Sequence, residues 1–278
     1  MKVLITGGWR FLGTQLTKLL LERRKIRNRN NELVPITEIV LFDSVEPKDK
    51  GSLFTASTSS SNIVIKSHIG DICDTNCCSQ LLADDGGSNN GNDNGDGDND
   101  IEMCIFHLAG VMSGACEQDF DLAWRVNVLG TANLLQACRK RKRVCRIVCA
   151  STIAVFGEQP SESQNVSDNS KLRPTNTYGM TKATCELLIN DMTRRGFIDG
   201  RVARLPTVIV RPGLPNAAST SCFSGIVREP LAGIDITIPV RKDLNHTIIG
   251  LLSDDVSSLM FYLYCCIVDT GVTIEVII

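Results

Sequence analysis

The alternation of short, uninterrupted apolar runs with amphipathic stretches limits this chain more than any other feature. The run Lys2–Thr6 (KVLIT) breaks straight into two glycines. After them, residues 11–24 (FLGTQLTKLLLERR) carry leucines at helical spacing and basic residues in the last turn. Further strands are predicted at 38–43 (EIVLFD), 62–66 (NIVIK), 102–107 (EMCIFH), 145–149 (CRIVC) and within 204–211 (RLPTVIVR), with helices at about 121–140 and 178–195. A strand that is apolar at every position has no face to offer water, so both faces must be covered by helices. The expected fold is α/β, a Rossmann-type doubly wound parallel sheet.

Hydrophobic residues make up 43% of the 278 and charged residues 22%, enough apolar material for a sizeable core. The formal net charge of −2 provides no basic excess for nucleic acid or an anionic membrane, so neither is expected as a partner. Residues 84–100 (DDGGSNNGNDNGDGDND) hold six aspartates and nothing apolar, and are expected to be a disordered surface loop. Residues 49–62 read as a Ser/Thr-rich loop, and the basic run 139–143 (RKRKR) as a solvated helix end. The 12 cysteines fall inside apolar runs or on predicted helices, with no CxxC pair, and the three histidines are far apart. That pattern predicts reduced thiols in a cytoplasmic protein and no metal site. The apolar run in MKVLITGG is too short for a signal peptide or a membrane span.

Chemistry is expected at the carboxyl ends of the strands. Glycines in Gly7-Gly8-Trp9-Arg10-Phe11-Leu12-Gly13 would let backbone amides approach a pyrophosphate at a helix N-terminus. Asp43, closing the second long strand, could accept hydrogen bonds from the ribose hydroxyl pair and would repel a 2′-phosphate, which favours NAD over NADP. Tyr178 and Lys182 stand four positions apart at the start of a helix and so share a face. An ammonium beside a phenol stabilises phenolate, the form useful to a general base. Ser151 and Thr152 follow a strand at the same edge, where a hydroxyl can hold a substrate oxygen.

In these landmarks the sequence resembles the extended short-chain dehydrogenase/reductases, also called the NAD-dependent epimerase/dehydratase family. The resemblance covers roughly residues 1–235 and rests on TGGWRFLG (6–13), Asp43, GDI (70–72), HLAG (107–110), RVNVLGTANLL (125–135), STIAVFG (151–157), YGMTK (178–182) and RLPTVIVRPG (204–213). Segments 113–127, 190–201 and 223–231 are similar to a subgroup that oxidises small sugar acids such as D-erythronate. The resemblance implies an NAD-dependent oxidoreductase with residues 1–212 as the NAD-binding domain and 213–278 as a partial substrate-binding lobe. Tyr178 would be the proton acceptor, Lys182 its partner and a holder of the nicotinamide ribose, Thr152 the group that binds the reacting hydroxyl, and Asn127 a member of the proton-relay region. Cofactor contacts would come from Gly7, Gly8, Arg10, Phe11, Leu12, Gly13, Asp43, Asp71, Ile72, Leu108, Ala109, Gly110, Val111, Ser151, Pro206 and Thr207. Arg211 or Arg228 could supply the cation that a carboxylate substrate needs, and the family commonly forms homodimers through the helices at 121–140 and 178–195.

The sequence departs from the family's pattern in three places. Arg10 stands where the family has glycine and is expected to crowd the pyrophosphate, unless the loop shifts and the guanidinium binds phosphate instead. Leu214 and Ala217 replace a more basic stretch, and the tail GVTIEVII ends at Ile278, sooner than in typical members. Two other readings stay open: a nucleotide-sugar epimerase or dehydratase, and a catalytically weak protein that binds a dinucleotide or a protein partner.

Overall fold

A computed structural model describes residues 1–47, 62–83, 102–157, 166–167, 170–208, 221–237 and 248–249. The acidic loop at 84–100, all but Asn62 of the loop at 49–62, Arg211, Leu214, Ala217 and the tail lie outside the described residues, as does much of the expected lobe.

The strands, in chain order, are β1 (Lys2–Thr6), β2 (Lys25–Arg27), β3 (Leu33–Pro35), β4 (Glu38–Asp43), β5 (Val64–Ile69), β6 (Met103–His107), β7 (Arg146–Thr152), β8 (Asp199–Leu205), β9 (Thr207–Val208) and β10 (Ile248–Ile249). The helices are α1 (Phe11–Arg23), α2 (Thr75–Leu81), α3 (Ser113–Gln118), α4 (Phe120–Ala123), α5 (Thr131–Arg139), α6 (Thr177–Arg194) and α7 (Ser221–Leu231). Six strands form one sheet in the order β5-β4-β1-β6-β7-β8, and every pairing in it is parallel. From β1 the chain builds outward through β4 to β5, then returns to lay β6 on the other side of β1. The crevice at the carboxyl ends of β1 and β6 is therefore the topological switch point, where ligands bind in such sheets.

The strand period divides the core into two layers. Val3, Ile5, Ile39, Leu41 and Phe106 face one side with Leu16 and Leu20 of α1. Leu4, Phe42 and Ile105 face the other, against Leu134 and Leu135 of α5 and Ile189 of α6. Burying each such side chain contributes roughly 2 kcal/mol, which makes the sheet centre the rigid part of the molecule.

Three elements differ from the sequence reading. The last sheet strand is Asp199–Leu205 rather than part of 204–211, because Pro206 brings no N–H to the ladder and ends it. The third long strand runs Val64–Ile69, a few residues beyond NIVIK. The stretch predicted as one helix at 121–140 is α4, then a π-helical segment Trp124–Gly130, then α5. The short antiparallel pair β2–β3 was not foreseen.

Candidate active site

The turn after β1 owes its shape to glycine at two points. Gly7 has φ +71°, and a Cβ there would lie 3.0 Å from the Ala109 nitrogen. A Cβ on Gly13 would run into the Gly7 carbonyl, so only glycine lets α1 start this close to the turn. Arg10 sits in extended backbone (φ −83°, ψ 171°), which any residue adopts. Its N–H donates to the Gly7 carbonyl at 3.1 Å and its carbonyl accepts from Thr14 N–H at 2.9 Å. The Arg10 side chain leans onto Asp43, with Nε 3.4 Å from Oδ1, while remaining 66% exposed. Asp43 is buried at the end of β4, where its carboxylate also accepts the N–H groups of Trp9 (3.3 Å) and Ser44 (2.9 Å). Phe11 and Leu12 are half-buried, and Leu12 packs on the core.

The far wall of the crevice is the segment after β6. Leu108 and Ala109 pack against the two core layers, Gly110 is exposed, and Val111 is held by Asn127. Asn127 Oδ1 accepts the Val111 N–H at 2.7 Å, and its Nδ2 donates to the Val111 carbonyl and to Thr181 Oγ1, each at 3.2 Å. Asn127 belongs to the π-helical segment, a geometry that recurs at functional sites. A Cβ on Gly110 would lie 3.1 Å from Asn127 Oδ1 and 3.4 Å from Lys182 Nζ, so this glycine marks where the asparagine and the lysine converge.

Tyr178 and Lys182 are placed by two tight glycine contacts. A Cβ on Gly179 would strike the Ala154 carbonyl, and one on Gly157 (φ +60°) would strike the Arg173 carbonyl. These approaches seat the N-terminus of α6 on the 3-10 turn Ile153–Phe156 that follows β7. Asn176 caps the helix, its Oδ1 accepting Gly179 N–H at 2.7 Å. Tyr178 is half-buried, and Lys182 Nζ lies 5.9 Å from its ring centroid and donates to the Ala150 carbonyl at 2.9 Å. Burial opposes the Lys182 charge, but the Tyr178 phenol and the thiols of Cys149, Cys185 and Cys116 outweigh it and hold the ammonium's pKa above that of an ordinary lysine. Thr152, half-buried, caps the 3-10 turn by accepting Ala154 N–H at 3.2 Å.

The remaining candidates are arranged differently. Ser151 is buried and donates to Glu186 Oε1 at 2.5 Å. Glu186, one helical turn beyond Lys182, is itself paired with Arg204 at 2.8 Å. Asp71 is exposed and accepts Cys73 N–H at 2.9 Å, whereas Ile72 is buried against Gly130. Pro206 and Thr207 follow Leu205, which pairs with Thr152 in the sheet, so they adjoin the Tyr178 end of the crevice. Arg228 pairs with its neighbour Glu229 at 2.5 Å. Glu186, the buried His107 and the threonines around it were missed as site residues, although HLAG and a glutamate four positions after Lys182 were visible in the sequence. Among the described residues, no group of three or more His, Cys, Asp or Glu side chains could hold a metal ion, and no helix is long and apolar enough to cross a membrane.

Comparison with known proteins agrees with this geometry. The family model for the NAD dependent epimerase/dehydratase family matches residues 100–248. The chain is 40% identical over 243 residues to D-erythronate dehydrogenase of Cupriavidus necator, covering 87% of this chain and 66% of that protein. It is 36% identical over 244 residues to D-erythronate dehydrogenase of Haemophilus influenzae, covering 88% and 66%. It thus spans just under two thirds of the length of these relatives. Among solved structures it resembles a nucleoside-diphosphate-sugar epimerase from Agrobacterium tumefaciens, with a TM-score of 0.74 and 30% identity over 96% of this chain and 68% of that one. The fold alone is shared with the UDP-glucose 4-epimerase of Thermus thermophilus in complex with NAD, at a TM-score of 0.71 and 18% identity, covering 97% of this chain and 75% of that one. Because that family model matches more than half of the chain, the chain belongs to the NAD dependent epimerase/dehydratase family.

Proposed function

We propose that this protein is an NAD-dependent dehydrogenase that oxidises a secondary hydroxyl of a small sugar acid, of the D-erythronate kind and at C2, to the ketone. The observation that carries the reading is the buried Lys182 ammonium beside the half-buried Tyr178 ring at the carboxyl rim, next to a turn that only glycine can form. Bound NAD supplies the hydride acceptor. The close-packed turn of Gly7, Gly8 and Gly13 would present backbone amides to the pyrophosphate, Asp43 would receive the adenosine ribose, and the exposed Gly110, beside Asn127 and Lys182, would lie along the dinucleotide. Thr152 orients the substrate hydroxyl. The Tyr178 oxygen would take the substrate's hydroxyl proton, and the fixed charge of Lys182 would favour the phenolate that accepts it. The 40% and 36% identity to two D-erythronate dehydrogenases supports the substrate class.

Arg10 bears on the choice of cofactor. Its guanidinium occupies the carboxylate that would receive the ribose, and its charge offsets the repulsion that Asp43 alone would exert on a 2′-phosphate. The pair is exposed on the arginine side and worth at most about 1 kcal/mol, so Asp43 still sets a preference for NAD. Titration with NADH and NADPH, then absorbance at 340 nm across four- and five-carbon aldonates, tests the reading. Expected are tighter binding of NADH, turnover of a four-carbon aldonate, and a Kd for NADH about fivefold lower in Arg10→Gly. Binding of neither cofactor would remove the enzyme reading, and NADH binding with turnover of nucleotide-sugars alone would turn it into that of an epimerase or dehydratase.

A homodimer and a cytoplasmic location belong to the same proposal. Phe120 and Trp124 stack with ring centroids 6.4 Å apart and are 53% and 37% exposed, and Leu187 of α6 is 65% exposed. Apolar rings that shield one another yet face water suit a second copy of the chain. Sedimentation at micromolar concentration should give twice the 30.3 kDa mass of one chain, falling to a single chain in Trp124→Asp; a monomeric wild-type protein removes this part. The described cysteines are all free thiols, as suits a reducing compartment.

A further inference from the structure

His107 takes no part in the proton transfer above, yet its ring joins two elements that flank the crevice. It ends β6 and is 2% exposed. Its Nδ1 lies 2.7 Å from Thr6 Oγ1 and its Nε2 2.9 Å from Thr131 Oγ1. Counting hydrogens fixes the direction of each bond. The Thr131 hydroxyl has one proton and directs it to the Asn127 carbonyl at 2.5 Å, so it can only accept from the ring, and Nε2 carries the hydrogen. Nδ1 then offers a lone pair, to which Thr6 Oγ1 donates. That leaves the Thr6 oxygen free to accept the Ala109 N–H at 3.2 Å.

The result is one run of bonds in a single sense, from the Ala109 amide through Thr6, His107 and Thr131 to the Asn127 carbonyl. Such chains polarise and strengthen their members. Burial, and secondarily the Lys182 charge, lower the imidazole pKa to about 3, so the neutral ring needed here persists at any working pH. The two ends of the run meet the same segment. Thr6 holds Ala109, while Asn127 holds both the N–H and the carbonyl of Val111.

We propose that His107 is a positioning residue that locks Thr6 and Asn127 into one frame and thereby sets where residues 108–111 lie beneath the dinucleotide. It touches neither cofactor nor substrate. The proposal rests on the cofactor reading given above. Through Thr6 it governs the Ala109 end, and so cofactor affinity; through Thr131 it governs Asn127, and so the turnover step beside Lys182.

Three substitutions separate the two branches. His107→Asn retains a group at the Nδ1 position for Thr6 and loses Thr131. His107→Gln reaches toward Thr131 and loses Thr6. His107→Phe fills the space and makes neither bond. NADH fluorescence gives the dissociation constant, and turnover at saturating NAD gives kcat. The loss of one buried hydrogen bond is worth up to about tenfold. His107→Gln should weaken NADH binding by about that factor while holding kcat within about threefold, and His107→Asn should do the reverse. His107→Phe should lose both. Thr131→Val cuts the second branch without altering the ring and should reproduce His107→Asn, which keeps the test open if a histidine variant does not fold. General loss of fold lowers the active fraction but not the Kd of the remainder, so it cannot produce this split. Wild-type values in all four variants, or equal losses of affinity and kcat in the Asn and Gln variants, overturn the proposal. If the wild-type protein binds no NADH, the cofactor reading fails and takes this inference with it, a result distinct from a wild-type protein that binds and variants that do not differ.

Discussion

Tyr178→Phe is expected to lower kcat by about 10³-fold while leaving the NADH dissociation constant within about twofold of wild type. The substitution removes one oxygen from a half-buried ring whose edge and stem stay in place, so the cofactor walls are untouched. Among the described residues the Tyr178 hydroxyl makes no hydrogen bond, so its removal leaves no buried partner there unsatisfied and should not cost stability. What disappears, on the proposed reading, is the acceptor for the substrate proton. The measurement is steady-state turnover of an aldonate together with NADH titration of the same preparation. Retention of even a tenth of wild-type kcat would show that the proton goes elsewhere, and a parallel loss of NADH affinity would show that the ring serves binding rather than chemistry.

The central strands were legible in the sequence and the outer ones were misplaced, for one physical reason. The strands β4, β1, β6 and β7 lie inside the sheet and are buried along nearly their whole length, so each appears as an unbroken apolar run. The strands β5 and β8 are the edges. VIKSHI and DGRVARL carry charged and polar side chains that an edge tolerates, so only the apolar start of the first, within NIVIK, stands out from a loop. In the last case the more apolar stretch beyond Pro206 leaves the six-stranded sheet, and its described part, Thr207–Val208, is β9. The π-helical segment was illegible for a different reason. One widened turn leaves the apolar spacing of WRVNVLG compatible with an ordinary helix, and only the freed geometry around Asn127 reveals it.

In the candidate site, residues that act as neighbours in sequence could be found, and those that act across the fold could not. Tyr178 and Lys182 share a helix, and Gly7 and Gly13 share a turn, so spacing alone exposes them. The partner that takes up Ser151, Glu186, lies 35 residues away. The Thr6–His107 contact spans 101 residues. Nothing in a single sequence announces such pairs. The side chain of Arg10 shows the same limit from the other direction. Sequence puts Arg10 in the glycine turn without naming its partner, and the structure pairs its guanidinium with Asp43, at the end of a different strand.

Lys182→Met should be the most informative single change, because its effects on stability and on the pH dependence of turnover can be read separately. The ammonium is buried, with the Ala150 carbonyl as its hydrogen-bond acceptor, and its surroundings hold its pKa above that of an ordinary lysine. A basic group whose folded-state pKa is raised contributes stability at any pH below it, so its loss is a cost to the fold. The melting temperature is therefore expected to fall by a few degrees, roughly what 1 kcal/mol yields in a domain of this size. Turnover at neutral pH should fall by about 10²- to 10³-fold, since no positive charge remains to favour phenolate. The sign of the pH dependence follows from the same charge. A cation beside an acid eases loss of its proton, so removing the cation shifts half-maximal oxidation activity to higher pH, and part of the lost rate should return in alkaline buffer. Differential scanning fluorimetry and a pH–rate profile of the two proteins, each at saturating NAD, measure both effects. A lower melting temperature with an unmoved profile would make Lys182 a structural tie to Ala150 and leave Tyr178 to act without it.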